Sequence, residues 1–187
     1  PANTTIPAEA IAVDGLRSKL GILANRFYDA PSQALSMTGV TGTNGKTSTV
    51  QLIAQALSLD GNTVGTIGTL GAGLYGEHVA GERTTPDVIA VHRLLAQMRD
   101  QGASHVAMEV SSHALDQRRV DGVRMRVAAF CNLSRDHLDY HGTMERYALA
   151  KQRLFRLPAL EHAVINVGDP AGARFAGALE AGVELTA

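Results

Sequence analysis

The amino-acid sequence predicts an α/β fold, in which helices cover both faces of a mostly parallel β-sheet. Short apolar runs typical of buried strands alternate along the chain with longer segments whose apolar residues recur every three or four positions, as in amphipathic helices. In such an alternation each helix forms a right-handed crossover between two parallel strands. Functional residues are then expected at the carboxyl ends of the strands.

The predicted elements follow in order from residue 13. The first helix, over 13–29, places four apolar residues on one face: Leu16, Leu20, Leu23 and Phe27. The predicted strands are 35–40, 63–70, 104–110, 123–133, 162–167 and 183–187. The further predicted helices are 47–60, 87–102, 143–157 and 170–182, with a Gly-rich loop over 71–86 and a short helical turn after residue 110. Asp87 is expected as an N-cap and Pro158 as a helix end.

Composition argues against several classes of partner. The 187 residues carry a formal net charge of −1 and are 45% hydrophobic, which favours a packed domain and gives no electrostatic reason to bind nucleic acid or an anionic membrane. No apolar run approaches the roughly 20 residues of a membrane span. The single cysteine, Cys131, cannot form an internal disulfide. We therefore expect a cytoplasmic monomer whose partners are small molecules.

A phosphate-binding loop is predicted where the first strand meets the second helix. The stretch GTNGKTS, residues 42–48, supplies glycine N–H groups that can converge on an anion, a lysine charge and a hydroxyl that can hold Mg²⁺. The stretch departs from the G-x-x-x-x-G-K-[ST] pattern, because Val40 stands where the first glycine belongs. An ordinary Gly-rich turn is the alternative, and the position between strand and helix disfavours it.

Glu109 closes an otherwise apolar predicted strand. A buried carboxylate without a partner is costly, so a cation is expected beside it. Mg²⁺, which takes oxygen ligands, and an arginine in a structural ion pair both fit this position. The residues that follow, Ser111, Ser112 and His113, fit helix caps as well as a binding site.

Two further polar segments leave two interpretations open. In 132–141, His137 could ligate a metal and Asp136 or Asp139 could orient it, but a solvated polar loop is an equal alternative. In 82–88, Thr84 and Thr85 offer hydroxyls to a polar ligand, although a turn that leads into the next helix is the simpler interpretation.

Lys151 falls in the middle of the apolar face of its predicted helix. Burial would lower the pKa of its ammonium group, and the neutral amine is a nucleophile that can add CO₂ to form a carbamate, a carboxylate-like metal ligand. The alternative is a packed stem whose charged head reaches water. The spacing alone favours this alternative.

Together these stretches resemble the Mur ligases, the ATP-dependent amide ligases of peptidoglycan synthesis. TGTNGKTS, ERTTPD, MEVSSHAL, QRR and NLSRDHLDYHGTMERYALAK occur in that family's order and spacing, over about residues 17–187. MEVSSHAL and DHLDYHGTME are most similar to the members that add a diamino acid to UDP-N-acetylmuramoyl-L-alanyl-D-glutamate. The family's loop is written T-G-T-N-G-K-T, so the resemblance also accounts for Val40.

The resemblance implies a division into domains. Residues 1–34 would be the tail of an N-terminal uridine-nucleotide domain and its linker, and 35–187 an incomplete central ATP-binding domain with a P-loop NTPase-like fold. A C-terminal amino-acid-binding domain would be absent. Because the chain also begins at Pro1 and ends on a predicted strand, we expect a fragment that cannot ligate by itself.

The resemblance also implies roles for individual residues. ATP would contact Gly42, Thr43, Asn44, Gly45, Lys46, Thr47, Ser48 and Asn132. Two Mg²⁺ ions would be held by Thr47, Glu109, His137 and Lys151, the last of these carbamylated by CO₂. The muramoyl-dipeptide would contact Thr84, Thr85, Ser111, Gln117 and Arg119. The catalytic residues would be Lys46, His137 and Lys151. Arg83 is a departure, because it precedes the threonines where relatives often carry asparagine.

The implied reaction has two steps. The D-glutamyl γ-carboxylate attacks the γ-phosphate of ATP, and the amine of the diamino acid then displaces phosphate from the acyl phosphate. The arginine-rich and alanine-rich composition favours meso-diaminopimelate over L-lysine as that amine. Three alternatives stay open: a folylpolyglutamate synthetase or another Mur ligase, a P-loop kinase or NTPase with Glu109 in place of a Walker-B aspartate, and a non-catalytic nucleotide-binding module.

Overall fold

The structure, a computed structural model, describes residues 13–81 and 83–187. Part of the expected N-terminal tail, residues 1–12, and Glu82 of the predicted turn before the third helix therefore lie outside the described residues. None of the helices in the described part of the chain combines the length and apolarity needed to cross a membrane.

Seven strands form one sheet in the order β3-β2-β4-β1-β5-β6-β7. The strands are Ser36–Thr41 (β1), Val64–Gly68 (β2), Gly71–Leu74 (β3), His105–Glu109 (β4), Val127–Phe130 (β5), His162–Ile165 (β6) and Glu184–Thr186 (β7). Every neighbouring pair is parallel except β2 and β3. The predicted fold class is therefore confirmed.

The prediction of a loop over 71–86 is wrong at its start, where β3 returns antiparallel to β2. Gly71 and Gly73 have positive φ values of 117° and 150°. A Cβ atom at either position would overlap the carbonyl oxygen of Val79 or Glu77, respectively. The glycines that suggest a loop thus permit a close backbone approach inside a sheet.

In the part of the chain that the structure describes, one α-helix precedes β1 and six lie between strands. They are Leu16–Phe27 (α1), Lys46–Leu59 (α2), Val88–Asp100 (α3), Ser112–Asp116 (α4), Leu138–His141 (α5), Met144–Gln152 (α6) and Pro170–Ala176 (α7). The predicted helix 143–157 changes to a 3₁₀ turn at Arg153, and the last helix ends six residues earlier than predicted. The short helix α5 was not predicted.

The two faces of the sheet have separate cores. On one face, Val50 of α2 packs with Val40, Ala107 and Ala129. On the other face, a larger core joins β-strand residues to α3, α7 and the segment after α6: Met37, Met108, Phe130, Leu95, Leu154 and Phe175 are among its members. The burial of both faces explains why the central strands are apolar without alternation.

The first helix is present, but the apolar face that predicts it is not buried. Leu16, Leu23 and Phe27 are 46%, 48% and 81% exposed, whereas Gly21 and Ala24 are buried. Gly21 lies so close to Asp121 that a side chain would clash with its backbone. The helix therefore docks through its small residues.

Candidate active site

The carboxyl ends of β1, β4 and β5 lie side by side, since β1 is the central strand of the three. In the parallel registers Val40 is opposite Glu109 and Thr41 is opposite Phe130. The loops that follow these strands therefore meet at one edge of the sheet. This edge holds most of the residues that the sequence singles out.

The predicted phosphate loop spans the gap between Thr41, the end of β1, and Lys46, the start of α2. Gly45, with a φ of 86°, leaves the first N–H groups of α2 without a side-chain cap, so they are free for an anion. Val40 is fully buried and packs against Val50. The position of the missing glycine thus belongs to the strand and the core rather than to the loop.

The loop is held from the β5 side by Asn132. The backbone N–H of Thr43 donates to the Asn132 carbonyl at 2.9 Å, and the N–H of Asn44 donates to Asn132 Oδ1 at 3.0 Å. Asn132 Nδ2 donates in return to the Asn44 carbonyl at 3.1 Å. A side chain at Gly42 would meet Cβ of Cys131 at 2.9 Å. Asn132, predicted as a nucleotide contact, therefore shapes the loop directly.

Lys46 lies folded over its own loop. Its Nζ atom donates to the carbonyl oxygens of Gly42 and Thr43, both at 2.9 Å. Partial burial lowers the pKa of Lys46, and the nearby carboxylate of Glu109 opposes that shift. Ser48 is exposed in the first turn of α2. The loop therefore places one lysine charge where phosphate oxygens would approach the helix.

Glu109 is 1% exposed and hydrogen-bonded to threonines. Its Oε1 atom accepts from the Thr47 hydroxyl at 2.9 Å and from the Thr69 N–H at 2.8 Å. No arginine among the described residues pairs with it, so the ion-pair interpretation is wrong for this part of the chain. The arrangement leaves a buried carboxylate beside a hydroxyl, a combination of oxygen donors that suits Mg²⁺.

The sequence did not single out Gly68 and Thr69, which support Glu109. A Cβ atom on Gly68 would overlap the Glu109 carboxylate, so only glycine leaves room for it. The signal that would find both residues is their position at the end of β2, the neighbour of β4. It requires the strand order, which the sequence does not show.

Lys151 is 1% exposed, so the interpretation of a charged head that reaches water is wrong. Its Nζ atom donates to the Gly42 carbonyl at 2.8 Å and lies 4.5 Å from the centre of the Tyr147 ring. Burial, and next the charge of Lys46, lower the pKa of Lys151 to about 7. An ammonium group with three protons and one carbonyl acceptor is poorly solvated here, which favours the neutral amine.

His137 and Lys151 both lie near the Tyr147 ring. His137 has a positive φ of 50°, its side chain is 45% exposed, and its Nε2 atom lies 3.5 Å from Asp136 Oδ2. Its ring centre is 4.8 Å from that of His113 and 6.0 Å from that of Tyr147. Within residues 13–81 and 83–187, no three His, Cys, Asp or Glu side chains group as metal ligands. A metal at His137 therefore needs a ligand of another kind.

The predicted substrate residues surround the end of β4. The Thr85 hydroxyl donates to the Glu109 carbonyl at 2.9 Å and accepts from the Ser111 N–H at 3.2 Å. Arg119 Nη1 donates to the Thr85 carbonyl at 2.7 Å. The Thr84 hydroxyl lies 3.1 Å from that of Thr69. These residues thus adjoin the Thr47–Glu109 pair.

Ser111 also caps α4, since its Oγ accepts from the Ala114 N–H at 3.1 Å. The two interpretations of Ser111, a cap and a site residue, are therefore compatible. Ser112 is buried and lies 3.0 Å from Nε2 of His141. Asp87 caps α3 as predicted, accepting from two backbone N–H groups.

Comparison with known proteins gives the chain a family. Residues 40–185 match the family described as the Mur ligase middle domain. The chain is 61% identical over 180 residues to the UDP-N-acetylmuramoyl-L-alanyl-D-glutamate–2,6-diaminopimelate ligase of Xanthomonas campestris pv. campestris, a match that covers 96% of the chain. The chain spans 36% of the length of that relative.

Solved structures agree with this. A structure of a UDP-N-acetylmuramoyl-L-alanyl-D-glutamate–2,6-diaminopimelate ligase superposes with a TM-score of 0.81 at 35% identity, over 95% of this chain and 37% of that one. The Mycobacterium tuberculosis folylpolyglutamate synthase complexed with ADP and AMPPCP gives 0.70 at 15% identity, over 91% of this chain and 46% of that one, a likeness of fold alone. The chain belongs to the Mur ligase family and contains that family's middle domain.

Proposed function

We propose that this chain is the ATP-binding part of a ligase that joins 2,6-diaminopimelate, in its meso form, to UDP-N-acetylmuramoyl-L-alanyl-D-glutamate. The observation that carries the proposal is the contact between the buried Lys151 and the Gly42 carbonyl of the phosphate loop. A loop that only bound nucleotide would gain nothing from a second, buried lysine behind it, because burial of an ammonium group is costly. The name of the 61% identical relative supplies the substrates.

The residues present fit the two Mg²⁺ ions that this reaction would use. Thr47 and the buried carboxylate of Glu109 would hold one ion, and His137 with a carbamylated Lys151 would hold the other. Histidine is an unusual ligand for Mg²⁺, so the carbamate oxygens would supply the affinity at the second ion. When bound, the ions would neutralise negative charge on the phosphates and on the approaching carboxylate.

The surroundings of Lys151 support its proposed carbamylation. The neutral amine of Lys151 adds to the carbon of CO₂, a C–N bond forms, and one proton is released to solvent. The product is a carbamate anion, which takes the place of the ammonium cation that an unmodified lysine carries. The conversion replaces repulsion between Lys151 and Lys46 by attraction, which is the supporting electrostatic argument.

The chain's own groups would then serve the first step. The N–H groups at the start of α2 and the charge of Lys46 would hold the β- and γ-phosphates, where charge develops during phosphoryl transfer. Thr84, Thr85, Ser111, Gln117 and Arg119 would hold the muramoyl-dipeptide so that its γ-carboxylate faces the γ-phosphate. Carboxylate and phosphate repel each other, so positioning and charge neutralisation are the main tasks of this site.

The domain boundaries belong to the same proposal. Residues 1–34 would be the tail of a uridine-nucleotide domain, and 35–187 part of the ATP-binding domain. A further domain, which would bind the amino acid, would lie in the rest of a longer protein. The whole protein would act as a cytoplasmic monomer on small molecules.

The first experiment assays the full-length protein that carries this chain. Amide formation is measured with ATP and Mg²⁺ in two separate reactions. One contains UDP-muramoyl-dipeptide and diaminopimelate, and the other contains folate and glutamate. We expect product with the muramoyl-dipeptide only. Activity with folate alone would select the folylpolyglutamate alternative, and phosphate release without any amide would select an NTPase.

The second experiment tests Lys151. Lys151→Ala is expected to lower the rate of amide formation about 10²- to 10³-fold, the usual cost of losing one preorganised electrostatic group. Short carboxylates added to the assay should restore part of that rate, because they can occupy the place of the carbamate. Full activity without added carboxylate would remove the proposed metal role.

The alternative of a non-catalytic nucleotide-binding module applies to residues 1–187 by themselves. We expect this chain to bind ATP and to form no amide. ATP-dependent amide formation by the 187-residue chain would contradict the proposed dependence on a further domain.

A further inference from the structure

A series of hydrogen bonds connects four side chains in and around the short helices α4 and α5. Arg119 donates from Nε and Nη2 to Gln117 Oε1 at 3.0 and 2.6 Å. Gln117 Nε2 donates to the Tyr140 hydroxyl oxygen at 3.2 Å, and the Tyr140 hydroxyl donates to Asp116 Oδ2 at 2.9 Å. The series joins the residues around α4 to α5, the helix that begins directly after His137.

The direction of every bond in this series is fixed by its two ends. A guanidinium group can only donate, so the amide oxygen of Gln117 must face Arg119. A carboxylate can only accept, so the Tyr140 hydroxyl proton must point at Asp116. The hydroxyl oxygen is then left to accept from the Gln117 NH₂ group. Tyr140 is the one of these four residues that accepts and donates through a single atom. Because Asp116 fixes the direction of the hydroxyl proton, the hydroxyl oxygen in turn orients the Gln117 amide.

Both ends of the series are themselves held. Arg153 Nη1 donates to Asp116 Oδ1 at 3.1 Å. Arg119 Nη1 donates to the Thr85 carbonyl at 2.7 Å. The Tyr140 ring lies 4.2 Å from the His113 ring and 4.8 Å from the His141 ring, measured between centres. The ring therefore keeps its packing partners when the hydroxyl is removed.

We propose that Tyr140 is a positioning residue for the muramoyl-dipeptide and that it acts by orienting Gln117. This rests on the proposed function, in which Gln117 and Arg119 contact that substrate. Gln117 and Tyr140 are exposed, so without the hydroxyl only Arg119 would hold the Gln117 side chain, which would then be less ordered before substrate binds. Among the described residues, none of the four side chains hydrogen-bonds to the phosphate loop, so we expect the effect on this substrate and not on ATP.

The test uses the full-length protein and the variant Tyr140→Phe, which retains the ring and loses the hydroxyl. The KM for UDP-muramoyl-dipeptide is expected to rise about 3- to 10-fold, the usual worth of one hydrogen bond. The KM for ATP and kcat are expected to stay within about twofold, a split that a general loss of structure would not produce. Tyr75→Phe is the matched control, since the Tyr75 side chain makes no hydrogen bond to any residue that the structure describes.

A double-mutant cycle with Gln117→Ala shows whether Tyr140 acts through Gln117. If it does, Tyr140→Phe adds nothing to the KM of Gln117→Ala, because the group that it orients is gone. Equal and additive effects in the two backgrounds, or an unchanged KM in Tyr140→Phe, would overturn the proposal while leaving the proposed function intact. If Tyr140→Phe does not fold, Asp116→Ala, which removes the acceptor of the Tyr140 hydroxyl proton, must raise the same KM. No amide formation by the unmodified protein would overturn both.

Discussion

The Nζ atoms of Lys46 and Lys151 donate to the same carbonyl oxygen, that of Gly42, at 2.9 and 2.8 Å. Two ammonium groups that share one acceptor repel each other. Lys151 is the more deeply buried of the two, and burial together with the charge of Lys46 brings its pKa to about 7. Lys151 is therefore the group that gives up its proton near neutral pH, which makes it the reactive member of the pair.

The first prediction concerns the pH dependence of this reactivity. Because the pKa of Lys151 is lowered to about 7, its amine is mostly neutral above that pH and mostly protonated below it. Carbamylation needs the neutral amine, so it should be lost as the pH falls through about 7. Carbon NMR of the 187-residue chain with labelled CO₂ measures the carbamate. Lys151→Ala should abolish the signal and Lys19→Ala, at an exposed lysine, should keep it.

The second prediction concerns Glu109. In Glu109→Gln one oxygen can still accept from Thr47 and Thr69, so the fold should persist, whereas the negative charge is lost. We expect Mg²⁺ affinity to fall about 10- to 100-fold, as for changes around other metal sites. The measurement is the rise in Tm that Mg²⁺ and ATP produce. Glu161→Gln, at an exposed ion pair with Arg126, is the control, and an unchanged Mg²⁺ effect in Glu109→Gln would exclude this carboxylate as a ligand.

A third prediction follows from Gly68. A methyl group at this position would overlap the Glu109 carboxylate, so Gly68→Ala should displace the carboxylate and weaken the same Mg²⁺-dependent stabilisation. Gly177→Ala is the matched control, because its Cβ atom would make only ordinary contacts at a φ of −70°. If the two variants respond equally to Mg²⁺, the close packing of Gly68 against Glu109 has no bearing on the site.

The fourth prediction concerns stability in acid. His92 is fully buried, its Nε2 atom lies 3.0 Å from the Asp121 carbonyl, and burial lowers its pKa from 6.5. The unfolded chain therefore takes up a proton at a higher pH than the folded chain does. The contribution of His92 to the free energy of unfolding is therefore fully present above about pH 6.5 and decreases as the pH falls below that value.

Urea unfolding between about pH 7.5 and about pH 5 measures this. His92→Gln retains a donor for the Asp121 carbonyl and has no proton to take up, so its stability should depend less on pH. His105→Gln, at a partly exposed position, should keep the original slope. A His92→Gln slope equal to that of the unmodified chain would show that other groups cause the loss.

The sequence predicted the fold class and most of the helices because local periodicity reports burial on one or two faces. It failed at β3, where Gly71 and Gly73 permit a close antiparallel pairing with β2, because a glycine-rich sequence is also typical of a loop. It also failed on the apolar face of α1, since Leu16, Leu23 and Phe27 recur as in a buried helix but are exposed in the structure. Periodicity describes what a segment can bury and not what covers it.

The candidate site divides in the same way. Residues in contiguous stretches, such as Lys46 and Glu109, were found from their positions at strand ends. Thr69, Tyr140 and Asp116 act through neighbours that are distant in the sequence, so only the strand order and the side-chain directions reveal them. For Lys151 the spacing favoured a charged head in water. In the structure its Nζ atom is buried against the Gly42 carbonyl of the phosphate loop, a contact that the spacing cannot show.

The central claim is that the site activates a carboxylate by phosphoryl transfer from ATP. The most direct test follows oxygen from the D-glutamyl γ-carboxylate, labelled with heavy oxygen, during ligation by the full-length protein. An acyl phosphate requires one labelled oxygen to leave with the inorganic phosphate that the amine displaces, and we predict one label in each phosphate released. Amide product formed together with unlabelled phosphate would contradict the account.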